Sequence, residues 1–223
     1  IDTPKNKEYN LFFSHFHWDH IQGLPFFFFL FDPETTINIY SAFENAKEYL
    51  ENQMQFTYFP VPFDSFTKKI TFHKLEEGLE YKIGNLLVSI CKMAHPGSSY
   101  SFAFKENGKK VVYATDVELK QEDYNDSESH NLVFKDADYL IIDSQYTVDE
   151  ANLKVNWGHS AFCSVIDFAV HWNVKKIFLF HHEPTYSDKK LDAILQSARW
   201  YAKYIAHSDL QVYLSIENQE FET

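Results

Sequence analysis

Apolar and polar positions along this chain follow two periods. Short apolar or alternating runs predict strands at residues 9–13, 37–40, 70–73, 86–93, 101–104, 110–114, 139–143 and 176–180. Asn107-Gly108 lies between the 101–104 and 110–114 runs and predicts a hairpin turn. Helical spacing replaces strand spacing in three places. Ser41-Ala42-Phe43-Glu44 has capping-box spacing and predicts a helix with Phe43, Ala46, Leu50 and Met54 on one face. Ser160 is the expected cap of a second helix, with Phe162, Val165, Ile166 and Ala169 inward. Ser187 is the expected cap of a third, with Leu191, Ile194, Leu195, Ala198, Ala202 and Ile205 on its core face. Residues 55–66, rich in aromatics and proline, read as a surface loop. Strands crowd the first part of the chain and alternate with helices in the second, which predicts layered α/β architecture.

Length and composition narrow the class. The 223 residues suffice for one sizeable core, and no repeat or linker divides them, so a single domain over residues 1–223 is the expectation. A net charge of -12, with no run of basic residues, argues against a polyanion as partner unless a local patch or metal overrides it. The two cysteines, Cys91 and Cys163, are too few for a disulfide framework; they read as buried thiols of a protein from a reducing, cytoplasmic setting. The apolar run at 26–31 is too short to span a bilayer, so no membrane association is expected.

The chemistry concentrates at one segment, Ser14-His15-Phe16-His17-Trp18-Asp19-His20, directly after the first predicted strand. Alternate residues of extended chain point the same way, so His15 and His17 can share one metal ion, while Asp19 and His20 turn toward a neighbouring position. Imidazole with carboxylate suits zinc, manganese or iron(II). Four donors cannot complete two metal shells. His95, Asp116 and His181 each follow an apolar strand and can supply the remainder, because a buried strand delivers side chains at its carboxyl end with little freedom.

In their order along the chain, these motifs resemble the metallo-β-lactamase superfamily. The resemblance implies an αββα four-layer sandwich carrying two divalent metal ions, zinc foremost, with His15, His17 and His95 on one, Asp19, His20 and His181 on the other, and Asp116 bridging. It also implies several dozen residues ahead of the His-rich motif where this chain has thirteen before Ser14, so the first strands are expected to be missing and the domain N-terminally incomplete.

Accessory residues indicate a branch. Aspartate at 116 is unlike the thiolate ligand of a true β-lactamase, and His95-Pro96-Gly97-Ser98-Ser99 matches the glyoxalase II pattern poorly. Trp157-Gly158-His159-Ser160 resembles the Gly-His-Ser segment of the phosphodiesterase branch that includes tRNase Z, and residues 140–146 resemble the strand carrying its partner carboxylate. The resemblance implies a catalytic His159 oriented by Asp143, beside Asp19 at the metals. Asp19-His20-Ile21-Gln22-Gly23 and the run from Leu179 to Pro184 resemble a bacterial subgroup of the cyclic-nucleotide phosphodiesterase type; Glu183 and Tyr186 stand where that subgroup more often has Asp and His. The expectation is a dinuclear hydrolase in which an activated hydroxide cleaves a small phosphodiester. Aromatics such as Phe56, Tyr58 and Phe59 could supply a stacking wall for its base. A large nucleic acid is the less expected substrate, and a homodimer is compatible with the pattern. The alternatives are a tRNase Z-like ribonuclease, a lactone or ester hydrolase, and a metal-binding sensor module without turnover.

Overall fold

A computed structural model of the chain describes residues 7–221. It resolves into two compact units, Ile1–Glu76 and Glu77–Thr223. In the first, β1 (Glu8–Phe13), α1 (Trp18–Ile21), β2 (Thr36–Ser41), α2 (Ala46–Gln53) and β3 (Ile70–Lys74) follow one another. The three strands form a parallel sheet in the order β1-β2-β3, with Phe13 paired to Ser41 and Ser41 to Lys74. Parallel pairing requires long crossovers, which here carry α1 and α2. Leu30, Ile37, Ile39, Leu50, Met54 and Phe63 are the centre of this unit's core.

The helix expected from Ser41 begins instead at Ala46, with Asn45 as its cap. Ser41 is the last residue of β2, its backbone is committed to the sheet, and its hydroxyl accepts from the Phe43 N–H in the turn that follows. Ala46, Leu50 and Met54 are buried as the spacing predicted. The segment expected to be loop ends in a 3-10 helix, Phe63–Lys69, whose three-residue repeat turns Phe63 and Phe66 inward together.

The second unit contains β4 (Tyr81–Ile83), β5 (Leu86–Met93), β6 (Ser99–Glu106), β7 (Lys109–Ala114), α3 (Glu128–Val133), β8 (Tyr139–Asp143), α4 (Val148–Leu153), α5 (Phe162–His171), β9 (Lys176–Phe180), α6 (Asp188–Tyr204) and β10 (Gln211–Leu214). They build a seven-stranded sheet in the order β10-β9-β8-β7-β6-β5-β4. Asn107 and Gly108, both with positive φ, close the β6–β7 hairpin. Pairing is antiparallel from β4 to β7 and parallel from β7 to β10. Two successive reversals make β5 run in the same direction as β7, so β5, β7, β8 and β9 all end at one edge of the sheet.

One apolar core unites this sheet with its helices, including Leu140, Ile142, Ile177 and Leu179 from the strands and Val165, Ile166, Ala169, Ile194 and Ala198 from α5 and α6. Each fully buried Val, Leu or Ile contributes about 1.5–3 kcal/mol relative to exposure, so this face dominates the unit's stability. Ser187 caps α6 by accepting from the Lys190 N–H, as its position predicted. Ile205 does not join the core face: it follows the helix and is 50% exposed. Ser160 does not cap α5, because Ala161 holds that position; the Ser160 hydroxyl donates to Val117 O at 2.6 Å and accepts from the Leu119 N–H at 3.0 Å. Cys91 is buried and Cys163 only half-buried, both as free thiols, and burial pushes Cys91 up to about 12. Among the described residues no helix is long and apolar enough to cross a membrane. The α/β class read from the sequence is the one observed.

Candidate metal centre

In the first unit the chain leaves β1 at Phe13, bends at Ser14 and is extended at His17, the residue that precedes α1. The α1 turn is closed by His20 N–H donating to His17 O at 3.1 Å. This path gathers three imidazoles: ring centroids lie 4.7 Å apart for His15 and His17, and 4.2 Å for His15 and His20. Ser14 Oγ is hydrogen-bonded to His15 Nδ1 at 3.1 Å, which orients the ring through its other nitrogen. Asp19 Oδ2 lies 3.1 Å from His20 Nε2. His15 is buried, whereas Trp18 beside it is 61% exposed.

In the second unit the common edge of β5, β7, β8 and β9 carries the remaining candidates. His95 lies two residues beyond β5, Asp116 two beyond β7, Asp143 ends β8 and His181 follows β9. Asp116 and His181 adopt the left-handed conformation, with φ of 52° and 55°, which turns each away from its strand axis at a conformational cost. The two oxygens of Asp116 serve different imidazoles: Oδ2 lies 3.7 Å from His95 Nε2, and Oδ1 lies 3.3 Å from His181 Nε2. Two donors each about 2.0–2.1 Å from one tetrahedral ion stand roughly 3.3 Å apart, so these spacings suit ligands of a shared cation better than a direct hydrogen bond. His95 Nδ1 donates to the Gly158 carbonyl at 2.9 Å, which leaves the Nε2 lone pair facing Asp116. The donor set of imidazoles and carboxylates therefore fits a divalent metal site.

Asp143 has a different environment. It is fully buried; Oδ2 accepts from His159 Nδ1 at 2.6 Å and from the Val117 N–H at 3.1 Å, while Oδ1 accepts from the Gln145 N–H at 3.0 Å. Burial pushes its carboxyl upward, opposed by the hydrogen bond and charge of His159. The His159 ring stacks on His181 with centroids 5.0 Å apart and lies 5.4 Å from His95.

Two residues here are held by contacts that the sequence does not reveal. Gly158, with φ +93°, is forced by proximity: a Cβ there would lie 2.2 Å from His95 Nδ1 and 2.5 Å from Pro96 Cδ. Glu118 accepts from the Asn156 and Gly158 amides, each at 2.9 Å, and pairs with Lys120. Burial would raise its carboxyl, but these contacts hold it below its ordinary value. Partners 38 and 40 residues away leave no local pattern. The histidines without motif support are structural where contacts are seen: His73 is bonded to Asn38, and His130 to Ser127 while stacked on Trp172.

The chain belongs to the beta-lactamase superfamily: the family described as "Beta-lactamase superfamily domain" matches residues 9–182. Its fold is the metallo-β-lactamase α/β fold, and its relatives fall in the branch that holds tRNase Z. The chain is 23% identical to a Ribonuclease Z from Oceanobacillus iheyensis over 236 residues, covering 85% of this chain and 76% of that protein. Among solved structures, unliganded yeast PDE1 matches with TM-score 0.74 at 17% identity, over 93% of this chain and 66% of that one. The short form of human tRNase Z matches with TM-score 0.64 at 17% identity, over 94% and 77%.

Proposed function

We propose that the chain is a metal-dependent phosphodiesterase acting on a small phosphodiester of the cyclic-nucleotide type. The observation that carries this reading is the His159–Asp143 pair, 2.6 Å apart, stacked beside the Asp116–His181 cluster. An imidazole held by a buried carboxylate, and not needed as a ligand, is suited to stabilise charge or to donate a proton to a leaving oxygen. By the family's order of ligands, His15, His17 and His95 would hold one divalent ion and Asp19, His20 and His181 the other, with Asp116 as a further ligand. When bound, the ions supply Lewis-acid activation of water and neutralise charge on the phosphoryl oxygens.

The protein's own groups do the rest. Asp143 fixes the His159 tautomer with the proton on Nδ1, leaving Nε2 for the reaction. Gly158 O does the same for His95. Asp19, whose Oδ2 lies 3.1 Å from His20 Nε2, would serve as a ligand and as a proton acceptor when metal is bound.

The net charge of -12 supports a small substrate over a large nucleic acid. A ribonuclease reading has its own support in the Ribonuclease Z relative. The test is turnover of bis(p-nitrophenyl) phosphate, cyclic nucleotides, precursor tRNA and a lactone panel by protein loaded with zinc or manganese. Faster cleavage of precursor tRNA than of cyclic nucleotides would overturn the small-substrate reading. Turnover of lactones alone would overturn phosphodiester chemistry, and none from fully metallated protein would favour a sensor module.

A further inference from the structure

We propose that Glu118 is the positioning residue for His159, holding by one carboxylate the peptide that precedes the imidazole; this rests on the catalytic reading of His159.

Glu118 lies two residues beyond Asp116, and its own N–H donates to Ala94 O at 2.9 Å, so its backbone is fastened beside the segment that carries His95. Its side chain is only 14% exposed. Oε1 accepts from the Asn156 N–H and Oε2 from the Gly158 N–H, each at 2.9 Å, so the two oxygens grip the amides on either side of Trp157. Hydrogen bonds to an ionised acceptor are about twice as strong as neutral ones, and two diverging bonds fix orientation as well as distance. Lys120 Nζ pairs with Oε1 and also donates to Asn156 Oδ1 at 3.3 Å, closing the same loop from its other side.

The gripped peptide is one that needs holding. Gly158 has φ +93°, open only to glycine, and its carbonyl accepts from His95 Nδ1 at 2.9 Å. The next residue is His159, and the one after it, Ser160, is fastened to Val117 O and the Leu119 N–H. Residues 117–119 therefore brace His159 through both chain neighbours, with Glu118 supplying the side-chain contact. Lys120 alone does not account for this arrangement, since an ion pair would not require both oxygens to meet backbone amides separated by one residue.

Glu118→Gln isolates the role. A carboxamide has one accepting atom, so one of the two amides loses its acceptor while side-chain volume is kept. The variant, loaded with manganese, is assayed on bis(p-nitrophenyl) phosphate beside wild type, His159→Ala and the double variant. Hydrogen exchange of the peptide spanning residues 155–160 is followed in parallel. The expected result is faster exchange in that peptide, metal content equal to wild type, and kcat lower by about tenfold at unchanged KM, the scale of losing an outer supporting contact. In the His159→Ala background the same change should cost less than about twofold, because the two act as a unit.

Unaltered exchange, lost metal, or an equally large loss in the His159→Ala background would each overturn the proposal. If Glu118→Gln does not fold by circular dichroism, Lys120→Met loosens the same loop and is read by the same exchange and cycle criteria. Wild-type turnover by His159→Ala would refute the catalytic reading of His159 and the positioning role with it. The exchange result would then stand alone, so the two failures are distinguishable.

Discussion

His159 Nδ1 donates to Asp143 Oδ2 at 2.6 Å, and the carboxylate that receives it is wholly shielded from solvent. A buried acceptor also bonded to two backbone amides cannot follow the ring if it moves, so it dictates both tautomer and orientation. His159→Ala should lower phosphodiester turnover by about 10²–10⁴-fold, the usual worth of a general acid or base. Asp143→Asn should lose a comparable amount, since the carboxamide can present a donor where the imidazole needs an acceptor. Elemental analysis should find both variants metallated to the wild-type level. Metal loss in His159→Ala would make His159 a ligand instead.

Asp116 presents one oxygen toward His95 and the other toward His181, and Thr115 Oγ1 donates to its Oδ1 at 2.6 Å. If this carboxylate bridges two ions, Asp116→Ala should empty at least one metal position and abolish turnover. Asp116→Asn, with one anionic charge fewer, should bind metal about 10–100-fold more weakly. Full occupancy of Asp116→Ala after dialysis would refute the bridging assignment.

Gly158→Ala places a methyl where His95 Nδ1 and Pro96 Cδ already stand, on a backbone of φ +93°. The contacts are far inside van der Waals distance, so either the loop or His95 must shift. The cost should be about 2 kcal/mol or more, visible as a lower thermal midpoint, with weakened metal binding because His95 loses its carbonyl partner. Wild-type values of both midpoint and metal content would show that the loop can relax freely.

The strand pattern made the sheet edge legible because apolar runs such as Ile142 with Asp143, or Phe180 with His181, end in polar residues that a buried strand would not otherwise carry. That pattern named the segments and, through Asn107-Gly108, the β6–β7 hairpin, but not the rest of their arrangement: the shared direction of β5 with β7 depends also on the pairing of β5 with β6, which the apolar runs alone do not mark. The short strands β4 and β10 were missed because three or four residues leave too little periodicity to read. Ser41 and Ser160 were misread for a different reason. A serine before an apolar face fits a cap, yet each hydroxyl is used elsewhere, Ser41 in a turn and Ser160 in bracing residues 117–119. Glu118 leaves no mark in the sequence because its constraint is a contact between distant segments, and the Gly-His-Ser segment shows Gly158 but not the closeness of His95 and Pro96 that requires it.

Glu150 links α4 to the segment following His181. Its carboxylate accepts from the Thr147 N–H at 2.9 Å and Thr147 Oγ1 at 2.7 Å, from Lys190 Nζ at 3.0 Å and from the Tyr186 hydroxyl. Burial alone would raise its carboxyl; these donors outweigh it and hold the group at about 2 against an ordinary 4.5. A depressed carboxylate stabilises the fold when both states are ionised, so the contribution is complete above pH 4.5 and fades as pH falls toward 2. Because the side chain is a third exposed, solvent screening reduces the expected contribution to about 1 kcal/mol. Glu150→Gln should therefore lower the thermal midpoint at pH 7, by about 2–4 °C for a chain of this size. The gap between variant and wild type should narrow progressively below pH 4.5, as the wild-type carboxylate loses its ionised advantage. A gap that stayed constant from pH 7 to pH 3 would mean that the lost contacts are steric and hydrogen-bonding in origin, with no share from the carboxylate's charge.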